Sequence, residues 1–169
     1  INEYITLTQK YNDNALVYYN LGRVYKSNSN FDAAVKNYNI AQNLNPFEDK
    51  YKKAIFAISQ EMAKKGDTEY RRQEFDSSIN FYKKSIKYSP GYTVAMFKLS
   101  RTYYKMKDLD NAKTYLELSL SINPNQEQSE KMLADIYNRM GDYESAIEHY
   151  NKAISINNNY SKAYYSLGT

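Results

Sequence analysis

The sequence repeats with a period of 34 residues, so that Tyr103 recurs as Tyr137, Ala112 as Ala146 and Ile122 as Ile156. A period of this length means a stack of small supersecondary units. One unit cannot bury its apolar face alone, so its neighbours supply the rest of the core. The first full unit shows the landmarks Tyr18, Leu21, Gly22, Tyr25, Ala34, Tyr38, Ala41 and Pro46.

Counted from Ala15 as position 1, the landmarks fall into register along the chain. Position 8 is small (Gly22, Ser100, Ala134, and Gly168 in a last partial unit), and so is position 20 (Ala34, Ser78, Ala112, Ala146). Position 24 is large: Tyr38, Tyr82, Leu116 and Tyr150. Small residues where two antiparallel helices cross, flanked by large ones, let the helices approach closely. Position 32 is Pro46, Pro90 and Pro124, with Asn158 in the fourth unit. A proline just past a helix stops it and sets the turn into the next. Turn formers separate the two helices of a unit at Ser27–Asn28–Ser29–Asn30, Lys107–Asp108 and Gly141–Asp142. Apolar residues inside each helix follow i, i+3, i+4, i+7 spacing, as in Tyr18, Leu21, Tyr25 and in Met96, Leu99, Tyr103. No strand pattern competes.

Composition narrows the function classes. Hydrophobic residues make up 42% and charged residues 25%, which predicts a soluble, globular chain. The sequence has no cysteine, which removes disulfides, thiol catalysis and cysteine–zinc sites. Twenty tyrosines and no tryptophan suit aromatic core slots whose hydroxyls reach water. No catalytic constellation, Gly-rich phosphate loop or metal-ligand cluster stands out, so neither an enzyme nor a cofactor is expected. The single histidine, His149, reads as an exposed surface residue. Asn159–Tyr160–Ser161 matches a glycosylation acceptor, a pattern common by chance in an Asn-rich chain. No apolar run approaches the length of a membrane span.

These landmarks resemble the tetratricopeptide repeat family across essentially the whole chain. The resemblance implies an all-α fold: a right-handed α-solenoid of antiparallel helix pairs, forming one array over 1–169. Its units would be an orphan second helix at 1–14, repeats at 15–48, 49–92, 93–126 and 127–160, and a partial first helix at 161–169. Tyr4, Leu7 and Asn12 fit the end of an earlier repeat. Tyr164, Leu167 and Gly168 fit the start of a later one. Both ends thus read as cut from a longer array, and their apolar faces suggest end-to-end stacking. Glu130 stands where the family favours a bulky apolar residue, so it either loosens that contact or faces solvent.

The 49–92 repeat is irregular. Pro46 and Pro90 are 44 residues apart, whereas Pro90 and Pro124 are 34 apart, so ten residues are extra. One reading puts Gly66 at position 8 and extends the first helix backwards through Tyr51, Ile55, Ile58 and Met62. The other puts Ile55, Ile58, Ser59 and Met62 at positions 4, 7, 8 and 11, with a turn at Gly66–Asp67 and a longer second helix. Either reading predicts a long helix protruding from the stack near residues 48–74.

The resemblance also implies that the first helices line a concave groove through positions 2, 5, 6, 9, 12 and 13. On this chain those positions hold ten basic and two acidic residues, net +8, against +4 for the whole sequence. The candidate binding residues are Tyr19, Arg23, Lys64, Tyr70, Arg71, Phe97, Lys98, Arg101, Tyr104, Lys105, Lys131 and Arg139. Lys26 and Lys162 complete the basic set, and Asp67 and Asp135 are its acids. A basic groove with interleaved aromatics attracts an extended acidic polypeptide, so a protein-interaction scaffold is the expected function. The competing expectation is a structural spacer or self-assembling element that uses its ends and outer face. Nucleic acid is a poorer fit, because acids interrupt the basic residues. Some co-chaperones of the family clamp a C-terminal carboxylate with Lys at position 5 and Asn at position 9. The corresponding pairs here are Tyr19 and Arg23, Ala63 and Asp67, and Phe97 and Arg101, none of which matches.

Overall fold

A computed structural model describes residues 1–159 of the chain. The expected partial helix at 161–169, with Lys162, Tyr164, Leu167 and Gly168, lies outside the described residues, as does most of the Asn159–Tyr160–Ser161 motif. Among the described residues the elements are all helices: α1 (Asn2–Lys10), α2 (Ala15–Ser27), α3 (Phe31–Leu44), α4 (Asp49–Arg71), α5 (Phe75–Tyr88), α6 (Thr93–Lys105), α7 (Leu109–Ile122), α8 (Glu127–Met140) and α9 (Tyr143–Ile156). The closest packing pairs α2 with α3, α4 with α5, α6 with α7 and α8 with α9, and each pair leans on the next. This is an all-α solenoid, and no described helix is long and apolar enough to cross a membrane.

The turns inside the pairs share one device. Each contains a residue with left-handed backbone: Ser29 (φ 59°), Gln73 (φ 64°), Lys107 (φ 66°) and Gly141 (φ 81°). Only the last is the glycine that such a conformation favours. Side chains then restart several helices. Asn14, Asn30, Asp108 and Asp142 accept from the backbone N–H of Leu16, Ala33, Asn111 and Ser145 at 3.0–3.2 Å.

Within a pair, small residues set the approach. A Cβ on Gly22 would lie 2.6 Å from the Tyr38 ring, and one on Gly66 would lie 2.6 Å from the Tyr82 ring. Helix α4 runs unbroken through Gly66, so the alternative turn at Gly66–Asp67 does not form. Two small positions of α4, Ser59 and Gly66, are seven residues apart and therefore share a face two turns apart. Both touch α5. The Ser78 hydroxyl donates to the Gly66 carbonyl at 3.0 Å. Further along, the Ser59 hydroxyl donates to the Ser85 carbonyl at 2.9 Å, and Ser85 returns a bond to the Ser59 carbonyl at 2.8 Å.

The expected protrusion of the long helix is not found. Tyr51, Ile55 and Ile58, in its first ten residues, are 2%, 8% and 0% exposed. Ile55, Ile58 and Met62 join Ala34, Val35 and Tyr38 of α3 in one core cluster, whereas Ala63 belongs to a second cluster with Tyr82, Leu99 and Leu116. The added turns find apolar partners on α3 and so fold into the stack. Helix α1, by contrast, buries no residue, and Ile1, Ile5, Leu7 and Tyr11 stay exposed.

Candidate functional site

The first helices of successive pairs carry the candidate residues, and the structure sorts them into groups. Lys64, Tyr70 and Arg71 from α4 and Arg101 from α6 line one open cleft of about 460 Å³, together with Asp67 and Thr68. The Arg101 guanidinium carbon lies over the Tyr70 ring, 4.5 Å from its centroid. One pair along, Arg139 covers Tyr104 at 4.4 Å. Cation–π stacking of this kind holds a guanidinium in place while its charge stays unneutralised. Burial holds the Tyr104 phenol above its ordinary value, with Asp135 adding to the shift and Arg139 opposing it.

Two candidates are committed internally. Lys98 Nζ donates to Asp67 Oδ2 at 2.6 Å, and the Tyr82 hydroxyl donates to Asp67 Oδ1 at 2.8 Å. Burial and then that carboxylate push the Tyr82 phenol well above its ordinary range. Lys131 Nζ donates to both oxygens of Asp135 at 2.8 and 2.7 Å, and Tyr150 donates to Asp135 Oδ1 at 2.7 Å. Each acid of the inner set is thus paired with a lysine and hydrogen-bonded by a tyrosine. Arg23, Lys26, Lys64, Arg71, Arg101, Lys105 and Arg139 form no ion pair among the described residues.

The remaining candidates stand apart from the cleft. Tyr19 is half-buried between Tyr38 and Tyr51, with ring centroids 5.5 and 5.4 Å away, and works as packing. Phe97, with Val94, lines a smaller notch of about 210 Å³ against Gln126–Ser129. Its α8 wall was not legible, because residues of two repeats meet there. Arg23 and Lys105 are exposed on α2 and α6.

His149 is not the exposed surface residue that its isolation suggested. Its Nδ1 sits 2.6 Å from Glu130 Oε2, and its ring stacks on Tyr137 with centroids 5.3 Å apart. Glu130 does not face solvent, being 6% exposed. The helical offset of 19 residues between the two carried no signal that either sequence neighbourhood could show.

Comparison with known proteins places this architecture. Three tetratricopeptide family models match the chain, at residues 15–48, 70–136 and 134–169. The chain belongs to the tetratricopeptide repeat family. Membership makes it a protein-interaction scaffold by class. Residues 49–69, the larger part of α4, fall between the matches. Among solved structures, the first TPR domain of Spaghetti (RPAP3) bound to the HSP90 peptide SRMEEVD is similar at 17% identity and TM-score 0.64, over 66% of this chain and 89% of that one. MamA is similar at 22% identity and TM-score 0.60, over 87% and 80% of the two chains. The Sgt2 TPR domain from Aspergillus fumigatus is similar at 20% identity and TM-score 0.62, over 65% and 74%. At these identities the likeness concerns the fold. No curated protein matches the sequence.

Proposed function

We propose that this tetratricopeptide array, with repeats at 15–48, 49–92, 93–126 and 127–160, binds an extended acidic segment of another protein along the face of its first helices. The observation that carries the reading is the imbalance of charge. Seven cations on that face lack counter-ions among the described residues, while Asp67 and Asp135 are each taken up by a lysine and a tyrosine. A field of one sign along a groove steers acidic chains and rewards charge-assisted hydrogen bonds. Tyr70, Tyr104 and Phe97 supply apolar surface between the charges. The similar Spaghetti domain holds a peptide with two glutamates and an aspartate, which is compatible with this chemistry. The residues differ from a carboxylate clamp, since Tyr19, Ala63 and Phe97 stand where its lysine would.

The test uses a fluorescently labelled glutamate-rich peptide titrated with the full chain. Arg101→Glu with Lys105→Glu is expected to weaken binding about tenfold or more and to flatten its salt dependence. An unchanged affinity and an unchanged salt slope would refute the reading.

A further inference from the structure

The cleft between α4 and α6 differs from the rest of this face, because three uncompensated cations converge on it. Lys64 and Arg71 are seven residues apart on α4, two turns along the same face and about 10 Å apart along the axis. They bracket the cleft, and Arg101 approaches from α6. Their immediate neighbours are engaged: Lys65 pairs with Glu61 at 3.6 Å and Arg72 with Glu69 at 3.2 Å. Among the described residues, Lys64, Arg71 and Arg101 are in no such pair. The carboxylate lining the cleft, Asp67, has Tyr82 on one oxygen and Lys98 on the other. It therefore offsets Lys98 and leaves the three cations uncompensated. Thr68 directs its hydroxyl to the Lys64 carbonyl at 3.1 Å. Arg101 sits over the Tyr70 ring, and its buried Nε has no hydrogen-bond partner among the described residues.

We propose that this cleft takes a phosphate monoester carried on a serine or threonine side chain of the bound segment. The inference rests on the acidic-segment reading of the same face. A single carboxylate would leave two of the three cations uncompensated, whereas a phosphate monoester brings a charge of roughly −1.5 to −2 and three acceptor oxygens. The planar fork of Arg101 on α6 and the flexible tips of Lys64 and Arg71 on α4 suit a group that offers several acceptor oxygens. The floor is the Tyr70 ring, which orients Arg101 without neutralising it. Lys64 and Arg71 are exposed, so the charge of the cleft can be changed there without touching the core.

The experiment measures fluorescence anisotropy of the full chain with four synthetic peptide mixtures of equal length. One has neutral flanks around a central serine. Three have acidic flanks around serine, glutamate or phosphoserine. The phosphoserine mixture is expected to bind about tenfold more tightly than the glutamate mixture, and both more tightly than the neutral one. Lys64→Glu with Arg71→Glu should abolish the phosphoserine advantage while circular dichroism shows the helices intact. Equal binding of the phosphoserine and glutamate mixtures overturns the phosphate assignment and leaves the acidic groove standing. If the acidic-flank serine mixture binds no better than the neutral one, the groove reading falls and the inference falls with it. An advantage that survives the double substitution also overturns it. So does inorganic phosphate that displaces the phosphopeptides as effectively as they displace each other, or an oligothymidylate that binds more tightly than they do.

Discussion

A methyl group added at Gly66 would press into the Tyr82 ring, which is fully buried and tethered by its hydroxyl to Asp67. Ala is a better helix former than Gly by about 1 kcal/mol, yet overpacking a fixed ring costs about 1–3 kcal/mol. Gly66→Ala should therefore lower stability in urea unfolding, while Gly91→Ala, which meets nothing within 4 Å, should be nearly neutral. A neutral Gly66→Ala would mean that the α4–α5 crossing does not sit at this residue. The Glu130–His149 contact follows a different rule. Removing one partner of a buried, hydrogen-bonded pair leaves the other unsatisfied, so His149→Ala should cost about 2 kcal/mol. Glu130→Met in that background should recover part of the loss, because it removes the buried carboxylate that His149→Ala leaves unpartnered. Independent, additive losses in the double-substitution cycle would show that the two side chains do not interact.

Helix α4 is the element that departs from a plain stack. Up to Met62 it buries Ile55, Ile58 and Met62 in a cluster with α3, and beyond that Ala63 joins the cluster of α5 and α6 while Gly66 meets Tyr82 of α5. The two registers that the sequence allows, one with Ser59 and one with Gly66 at the small position, place their landmarks on the same helical face. Both small residues meet α5, at Ser85 and Tyr82. That is why periodicity alone left the choice open: a shift of two turns preserves the apolar stripe. Burial on both sides ties the opening of α4 to that of its neighbours. In hydrogen exchange, amides from Ile55 to Gly66 should be among the slowest in the chain, and those of α1, which buries nothing, among the fastest. Exchange of residues 49–58 at the rate of α1 would contradict the packing.

Across the whole molecule, the abundance of tyrosine makes stability sensitive to alkali. Burial raises the phenols of Tyr38, Tyr82, Tyr88, Tyr92 and Tyr104 above the ordinary value of 10, and Tyr88 is pushed up to about 12 by burial and by Asp32. The unfolded chain releases those protons near pH 10 while the folded chain still holds them. Stability is therefore intact below about pH 10 and falls as the pH climbs towards 12. Lys83 and Lys113 act in the same sense, since hydrogen bonds to Tyr103 and Tyr137 raise them above 10.5. The urea midpoint should be flat up to about pH 9 and drop steeply above 10. A midpoint that is unchanged at about pH 11 would disprove this account.

The sequence by itself determined the helical stack. The spacing of Gly22, Ala34, Tyr38 and Pro46, repeated down the chain, encodes close crossings and turns that need no distant information. It also determined which helices carry the excess of positive charge. The tertiary structure alone decided which cations find a partner on a neighbouring helix. Lys98 reads like Arg101 and Arg139, but it finds a carboxylate on α4 whereas they find tyrosine rings. The Lys131–Asp135 pair, four residues apart on α8, is by contrast set by spacing along one helix. The tertiary structure alone turned His149 inward onto Glu130 and folded the extra turns of α4 onto α3. Periodicity reports which face of a helix a residue occupies, whereas burial and the ion pairs between helices depend on the neighbouring helix at the same height. That alignment is set by packing between units.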